Sequence, residues 1–346
     1  MSKKRILTVA FTYVGAIVGA GFSSGQEIWR FFGQYQEKGL YGVLCTALFF
    51  CILAPFLFYL SRKKGFSSYS DCFQLCFPGP LSTVFDLIYS MFMLGTAAVM
   101  LSGGGTVFEE LLGLAYYQGV LFTLIFVLII LYMNRRGILA VNSILMPIMI
   151  AITLFSVIYY LVKSGERGYF NYYQLFLYNS SGWFKDAILY GAYNISMAIA
   201  ALSGIFALEA EKNIVKGGIL GGFILFILNL LFFLALIAAF PGRNYCGEIP
   251  ILLIARKTGK GVYLAYTLAL YFAMISTAVA VYYAFTERLI RFTGLSYNKG
   301  LFLSMIIVLP FTSFDFSTLV SKLYPLFGYF GILIITAYLW AVIKNR

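Results

Sequence analysis

Gly15-Ala16-Ile17-Val18-Gly19-Ala20-Gly21-Phe22-Ser23-Ser24-Gly25-Gln26-Glu27 lies inside the first long apolar segment, and its reading decides the fold. Backbone groups in hydrocarbon have no water to bond, so a spanning helix keeps its ladder intact unless the freed groups face a cavity. Four glycines, two serines and a carboxylate in one short stretch exceed what close helix packing requires. The stretch predicts a spanning helix interrupted beside a polar cavity.

The surrounding chain supports a membrane setting. Of its 346 residues 61% are hydrophobic and 11% charged, against about 45–50% and about 25% in soluble domains. Apolar runs of roughly 20 residues recur without strict alternation, which predicts spanning helices and not barrel strands. Ten spans are expected, at about 6–32, 39–60, 81–112, 119–133, 138–162, 185–208, 214–240, 261–287, 298–313 and 318–342. The N-terminal Lys3-Lys4-Arg5 followed by apolar residues is like a signal peptide, but the apolar part is too long and carries the glycine stretch, so it is kept as a span.

Ten spans put both termini on one side. With the N-terminus inside, Lys3, Lys4, Arg5, Arg62, Lys63, Lys64, Arg135, Arg136, Lys212, Lys216, Arg288, Arg291, Lys299, Lys344 and Arg346 fall on the cytoplasmic side. Fewer basic residues fall outside, Lys163, Lys185 and Arg256 among them, so the positive-inside rule expects both termini in the cytoplasm. The net charge of +12 then reflects topology, not a nucleic-acid surface. Cys45, Cys51, Cys72, Cys76 and Cys246 include no CxxC pair and are expected to be unpaired, with no disulfide framework. The chain has no histidine. Without it, and with few charges in the spans, no nucleophile–base–orienter set can be assembled, so an enzyme is not expected and neither is an organic cofactor.

Cut near 163–184, the chain divides into a first half of five spans (1–162), an outer connecting loop (163–184) and a second half of five (185–346). An odd number of spans per half inverts one half relative to the other, which is how inverted-repeat secondary transporters place a midplane site. The symmetry predicts a second interruption in the sixth span, where Gly191, Asn194 and Ser196 fall in Tyr190-Gly191-Ala192-Tyr193-Asn194-Ile195-Ser196-Met197.

The Gly15–Glu27 stretch resembles the first-helix signature of the YkvI-like bacterial membrane proteins, relatives of the amino acid–polyamine–cation superfamily with the LeuT fold. Span number and loop pattern extend the resemblance over essentially the whole chain. It implies an all-α bundle of ten helices in a 5+5 inverted repeat, discontinuous in helices 1 and 6, in the bacterial cell membrane. It also implies alternating-access transport of an amino acid or related small zwitterion or amine. Gly19-Ala20-Gly21 is similar to the bend whose amides hold a substrate carboxylate, with Ser23 beside it. Gly191, Tyr193 and Asn194 would form the facing wall, and sequence does not rank the last two.

The same resemblance implies a sodium ion held by the carbonyls of Gly15, Val18 and Ala273 and the hydroxyls of Ser276 and Thr277. No lysine interrupts the fifth span, which carries Asn142 and Ser143 and has no basic residue before Lys163; some members of the superfamily place a lysine there instead of sodium. Glu27 keeps proton coupling open, as it could titrate, attract a substrate amine, or pair with Arg30 three residues on. Asp86, Glu109, Glu110 and Glu287 are expected to snorkel or pair in loops, and Glu248 to be a solvated loop charge or a gate. The alternatives are a proton-coupled transporter or exchanger, and a receptor that binds a small molecule without moving it. The expected partners are a small solute and the bilayer, with no nucleic acid and no obligate protein partner.

Overall fold

The computed structural model describes residues 2–65, 74, 76–77, 79–133, 135–166, 181–206, 209–241 and 247–344. Cys72, Cys246, most of the expected 163–184 loop and the side chains of Asn142 and Ser143 lie outside the described residues. Cys45 and Cys51 are free thiols.

The described elements are helical. They are α1 (Ser2–Ile17), α2 (Ala20–Ser24), α3 (Gln26–Phe31), α4 (Glu37–Leu48), α5 (Ala54–Lys63), α6 (Pro80–Leu112) and α7 (Tyr116–Met133). Then follow α8 (Arg135–Glu166), α9 (Trp183–Phe206), α10 (Glu211–Ala239), α11 (Pro250–Thr258), α12 (Lys260–Thr293), α13 (Tyr297–Val308) and α14 (Phe316–Lys344). Among the described residues, six helical segments are long and apolar enough to cross a bilayer by length and composition. Their outward faces suit lipid: Leu44, Leu48, Ile52 and Phe56 form an exposed stripe at a spacing of four along α4 and α5.

The first apolar segment is interrupted twice. α1 stops at Ile17, Val18 and Gly19 leave the helix, and Gly19 is extended (φ −95°, ψ −169°) before the single turn of α2. Gly25 then takes a left-handed φ of +82° between α2 and α3, a conformation costly for other residues. A methyl group there would also meet Ile251 Cγ1 of α11 at 2.6 Å.

The expected interruption of the sixth span does not occur. α9 runs unbroken from Trp183 to Phe206, because its polar residues close on their own helix. Asn194 Nδ2 donates to Tyr190 O (2.9 Å) and Ser196 Oγ to Ala192 O (2.9 Å). Gly191 serves packing, since a side chain there would meet the Phe49 ring at 2.8 Å.

Small residues set the helix approaches. On α10, Gly217 and Gly221 face Val9 and Tyr13 of α1, while Gly218 faces Pro55 of α5 and Gly222 faces Phe50 between α4 and α5. Pro55 has no N–H and its ring crowds the preceding turn, and the helix accommodates it with a π-helical turn over Phe49–Leu53. Tyr13 Oη donates to the Phe50 carbonyl in that turn (3.4 Å). α1, α4–α5, α9 and α10 thus form one packed group, and α6, α7, α12 and α13 a second. α14 bridges them, meeting α9 through Gly328 and Gly331 and also packing on α6. Gly103 and Gly104 of α6 abut Met274 and Thr123, so the Ser102–Gly105 run is a close-packing surface.

Candidate functional site

The interruption of the first segment turns Glu27 inward. Its residue is only 3% exposed, and its carboxylate lies against Gly21, where any Cβ would collide with Oε1. The same Cβ would stand 2.9 Å from Tyr324 Oη of α14. Gly21 is therefore the gap that admits a carboxylate and a phenol to one spot. Tyr193 Oη, from α9, donates to Glu27 Oε2 at 2.6 Å, which joins the first segment to α9.

Aromatic rings continue outward from the two phenols. The Tyr193 and Tyr324 centroids are 5.3 Å apart, Tyr190 and Tyr193 5.9 Å, Phe31 and Tyr190 5.1 Å, and Tyr324 and Phe327 5.7 Å. Tyr193 is also one wall of a cavity of about 50 Å³ whose other walls include Tyr89, Phe92, Thr96, Ser196 and Phe330. That volume exceeds the roughly 10–15 Å³ a single water requires.

Glu27 does not pair with Arg30. The Arg30 guanidinium bonds Asp186 Oδ2 in the first turn of α9, and Tyr35 Oη donates to the same oxygen at 2.7 Å. Arg30 Nε also donates to Ser321 O (3.4 Å), a carbonyl whose usual helical donor is missing because Pro325 follows four residues on. Among the described residues no basic side chain lies within ion-pair distance of Glu27. An unpaired buried carboxylate is costly and signals a site.

The turn before it leaves further polar atoms open. Ser24 Oγ donates to Gly21 O (2.6 Å) and accepts from Gln26 N (3.1 Å). Ser23 Oγ and Gln26 Oε1 are buried with no hydrogen-bond partner among the described residues. Tyr266 Oη of α12 donates to Ser23 O (2.8 Å), the polar link by which α12 grips α2.

The other expected residues divide. Gly21 and Tyr193 meet at Glu27, whereas Gly191 faces Phe49 and Asn194 is bonded within its helix. Of the expected sodium ligands, Val18, Ala273 and Ser276 are buried and Thr277 is half-buried, but Gly15 is exposed with open space beside it. Contact between the first segment and α12 runs mainly through α2. Asp86 pairs with Arg288 (3.5 Å). Glu248 caps α14, accepting from Ser317 N (2.7 Å) and Oγ (2.8 Å). Among the described residues no three His, Cys, Asp or Glu side chains cluster as a metal site.

Sequence reasoning missed Tyr324, Asp186 and Tyr266. Asp186 carried a signal: an acid in the first turn of an apolar helix, matched by an intramembrane arginine, invites pairing. Tyr324 and Tyr266 had none, being two of 27 tyrosines.

With the break and its carboxylate placed, the fold finds its counterparts among membrane transporters. Mutant forms of the Eremococcus coleocola manganese transporter align with a TM-score of 0.63 over 97% of this chain and 78% of theirs, at 14% identity. A Na+-coupled sialic acid symporter in its substrate-bound outward-open state aligns with a TM-score of 0.60 over 96% and 78%, at 13% identity. No family model matches the chain. In sequence it is 30% identical over 340 residues to the membrane protein YkvI of Bacillus subtilis (strain 168), covering 98% of this chain and 96% of YkvI. YyaD of the same organism is 28% identical over 342 residues, 96% of each chain. The chain belongs to the YkvI family, and it is a multi-pass membrane protein.

Proposed function

We propose that this chain is a secondary active transporter, coupling sodium entry to uptake of an amino acid or related small zwitterion or amine. It would work by alternating access within a ten-span, 5+5 inverted repeat, with halves 1–162 and 185–346 joined through 163–184. The observation that carries this reading is the buried Glu27 carboxylate, placed by an interrupted span and joined across to α9 by Tyr193. A soluble-style core has no use for a carboxylate without a cation in hydrocarbon, but a solute path does. The superfamily resemblance, the membrane relatives and the transporter folds agree with it.

Within this proposal Gly19, Ala20, Gly21, Ser23, Glu27 and Tyr193 border the solute. Gly191 and Asn194 are assigned to packing and to the helix's own ladder. Sodium is assigned to the Val18 and Ala273 carbonyls with the Ser276 and Thr277 hydroxyls; Gly15 is left out because it is exposed. The manganese cargo of one structural counterpart is not carried over, since this chain has no histidine and clusters no acidic or thiol ligands among its described residues. Both termini are placed in the cytoplasm by the positive-inside rule.

Reconstituted protein is expected to accumulate labelled solute only with an inward sodium gradient, and S276A/T277A to abolish that dependence. Accumulation indifferent to sodium overturns the sodium assignment. A second reading, proton coupling through Glu27, is favoured by the unpaired buried carboxylate itself. It predicts uptake driven by a pH gradient alone and lost in Glu27→Gln.

A further inference from the structure

The expectation of a substrate carboxylate at Gly19–Gly21 meets an obstacle in the structure. The chain's own carboxylate already lies against Gly21. A second carboxylate brought to the same turn would face a like charge in a low-dielectric setting, where repulsion is weakly screened. The group that belongs beside Glu27 is a cation.

Three features specify its chemistry. The first is charge: Glu27 is buried, and its one side-chain hydrogen-bond partner among the described residues is the neutral Tyr193 phenol. The second is the ring set. Tyr193 and Tyr324, the two phenols at the carboxylate, belong to a run of neighbouring rings with Phe31, Tyr190 and Phe327 whose centroids lie 5.1 to 6.4 Å from one another. Aromatic faces attract an organic ammonium and accept the carbon atoms attached to it, whereas a bare sodium ion calls for a shell of oxygens. The third is hydrogen-bond demand. Ser23 Oγ and Gln26 Oε1 on the adjoining turn are buried without hydrogen-bond partners among the described residues, and both atoms can accept. An ammonium brings N–H donors and no acceptor.

We infer that Glu27, with Tyr193 and Tyr324, is the recognition site for the ammonium group of a small organic amine, whose carbon body enters the aromatic cavity behind Tyr193. The substrate then needs no carboxylate. The cavity of about 50 Å³ limits that body to a few non-hydrogen atoms in the conformation described. The Tyr193–Glu27 bond is what the ligand meets on arrival. The ammonium takes over or shares Glu27 Oε2, and α9 is thereby coupled to occupancy of the site. This inference rests on the transporter reading for its biological use, but its binding chemistry stands apart from any flux.

The test is thermal unfolding of the purified full-length protein in detergent, in potassium buffer, with propylammonium chloride or potassium propionate. The two probes match in carbon number and differ in the charged group. Propylammonium is expected to raise the melting temperature saturably, and propionate at equal concentration is not. In Glu27→Gln the propylammonium affinity is expected to fall at least tenfold. Stabilisation by propionate and not by propylammonium overturns the inference, as does no stabilisation by either. Propylammonium stabilisation that persists in Glu27→Gln overturns it too. If Glu27→Gln gives no cooperative melt, the wild-type comparison decides alone. Sodium added by itself is the remaining arm: a sodium shift lost in Glu27→Gln, with none from propylammonium, makes Glu27 an ion site and overturns the inference. Ammonium binding without accumulation in proteoliposomes leaves the inference standing and overturns the transporter reading.

Discussion

Gly15–Glu27 and Tyr190–Met197 carry similar residues, yet one stretch breaks its helix twice and the other does not break at all. The difference lies in what the neighbours offer. At the first, Gly19 and Gly25 adopt conformations no helix uses, and the released groups find partners: Tyr266 takes Ser23 O, and Ser24 Oγ bridges Gly21 O and Gln26 N. At the second, Asn194 and Ser196 spend their hydrogen bonds on carbonyls four residues back, and Gly191 admits a ring. Glycine permits a break. External partners for the freed backbone decide whether one forms.

The harshest test of that contrast is Gly25→Ala against Gly191→Ala. At Gly25 a side chain meets both a φ of +82° and Ile251. Left-handed strain of about 1–3 kcal/mol and overpacking of about 1–3 kcal/mol are expected to add, lowering the melting temperature sharply. At Gly191 the gain in helix propensity, about 0.5–1 kcal/mol, partly offsets the displacement of the Phe49 ring. With overpacking of about 1–3 kcal/mol, a net loss of roughly 0–2.5 kcal/mol is expected there, smaller than at Gly25. Equal losses at the two sites would dissolve the distinction. Next in size is Gly21→Ala, whose methyl group displaces the Glu27 carboxylate from beside Tyr324. Uptake in proteoliposomes is expected to fall at least about tenfold, an effect of ~1.4 kcal/mol, with an overpacking cost to stability of about 1–3 kcal/mol and no backbone strain added, below the loss at Gly25.

Much of the helical layout was legible because apolar length and its punctuation are local properties. The expected span 81–112 is Pro80–Leu112, and the expected 318–342 is Phe316–Lys344. The first interruption was legible too, since glycine density there exceeds packing needs. Its partners were not. Tyr324 reaches Gly21, and Asp186 reaches Arg30, across long sequence separations. Such meetings depend on helix rotation and tilt, which no window of sequence encodes. The choice left open for Glu27 has the same origin: a spacing of three places Glu27 and Arg30 on one face of a continuous helix, but it does not reveal that Asp186 takes the arginine. The expected sixth break failed because symmetry of topology was extended to symmetry of local structure.

Asp186→Asn sharpens the role of the pair that ties α3 to α9. It removes the charge that Arg30 and Tyr35 both address and leaves a guanidinium about three-quarters buried. Loss of a partly buried pair is expected to cost about 2 kcal/mol, below the 3–5 typical of full burial because water still reaches the arginine. The melting temperature of the purified protein reads this directly. If the pair only decorates the surface, the change will be indistinguishable from zero.

The smallest effect is expected at Ser196→Ala. Its hydroxyl donates to Ala192 O, a carbonyl that already belongs to the unbroken α9 ladder. Removing such a back-bond leaves the helix its own hydrogen bonds and raises its propensity slightly, so stability is expected to move by less than about 0.5 kcal/mol. Ser196 also lines the aromatic cavity and abuts Gly331 of α14. If its hydroxyl instead caps a break that opens during transport, its loss would leave the melting temperature unchanged and slow uptake. The pairing of those two measurements is therefore informative: unchanged melting with unchanged uptake confines the working interruption to the first segment. Unchanged melting with slowed uptake places a second, transient interruption in α9, where the resting structure shows a continuous helix.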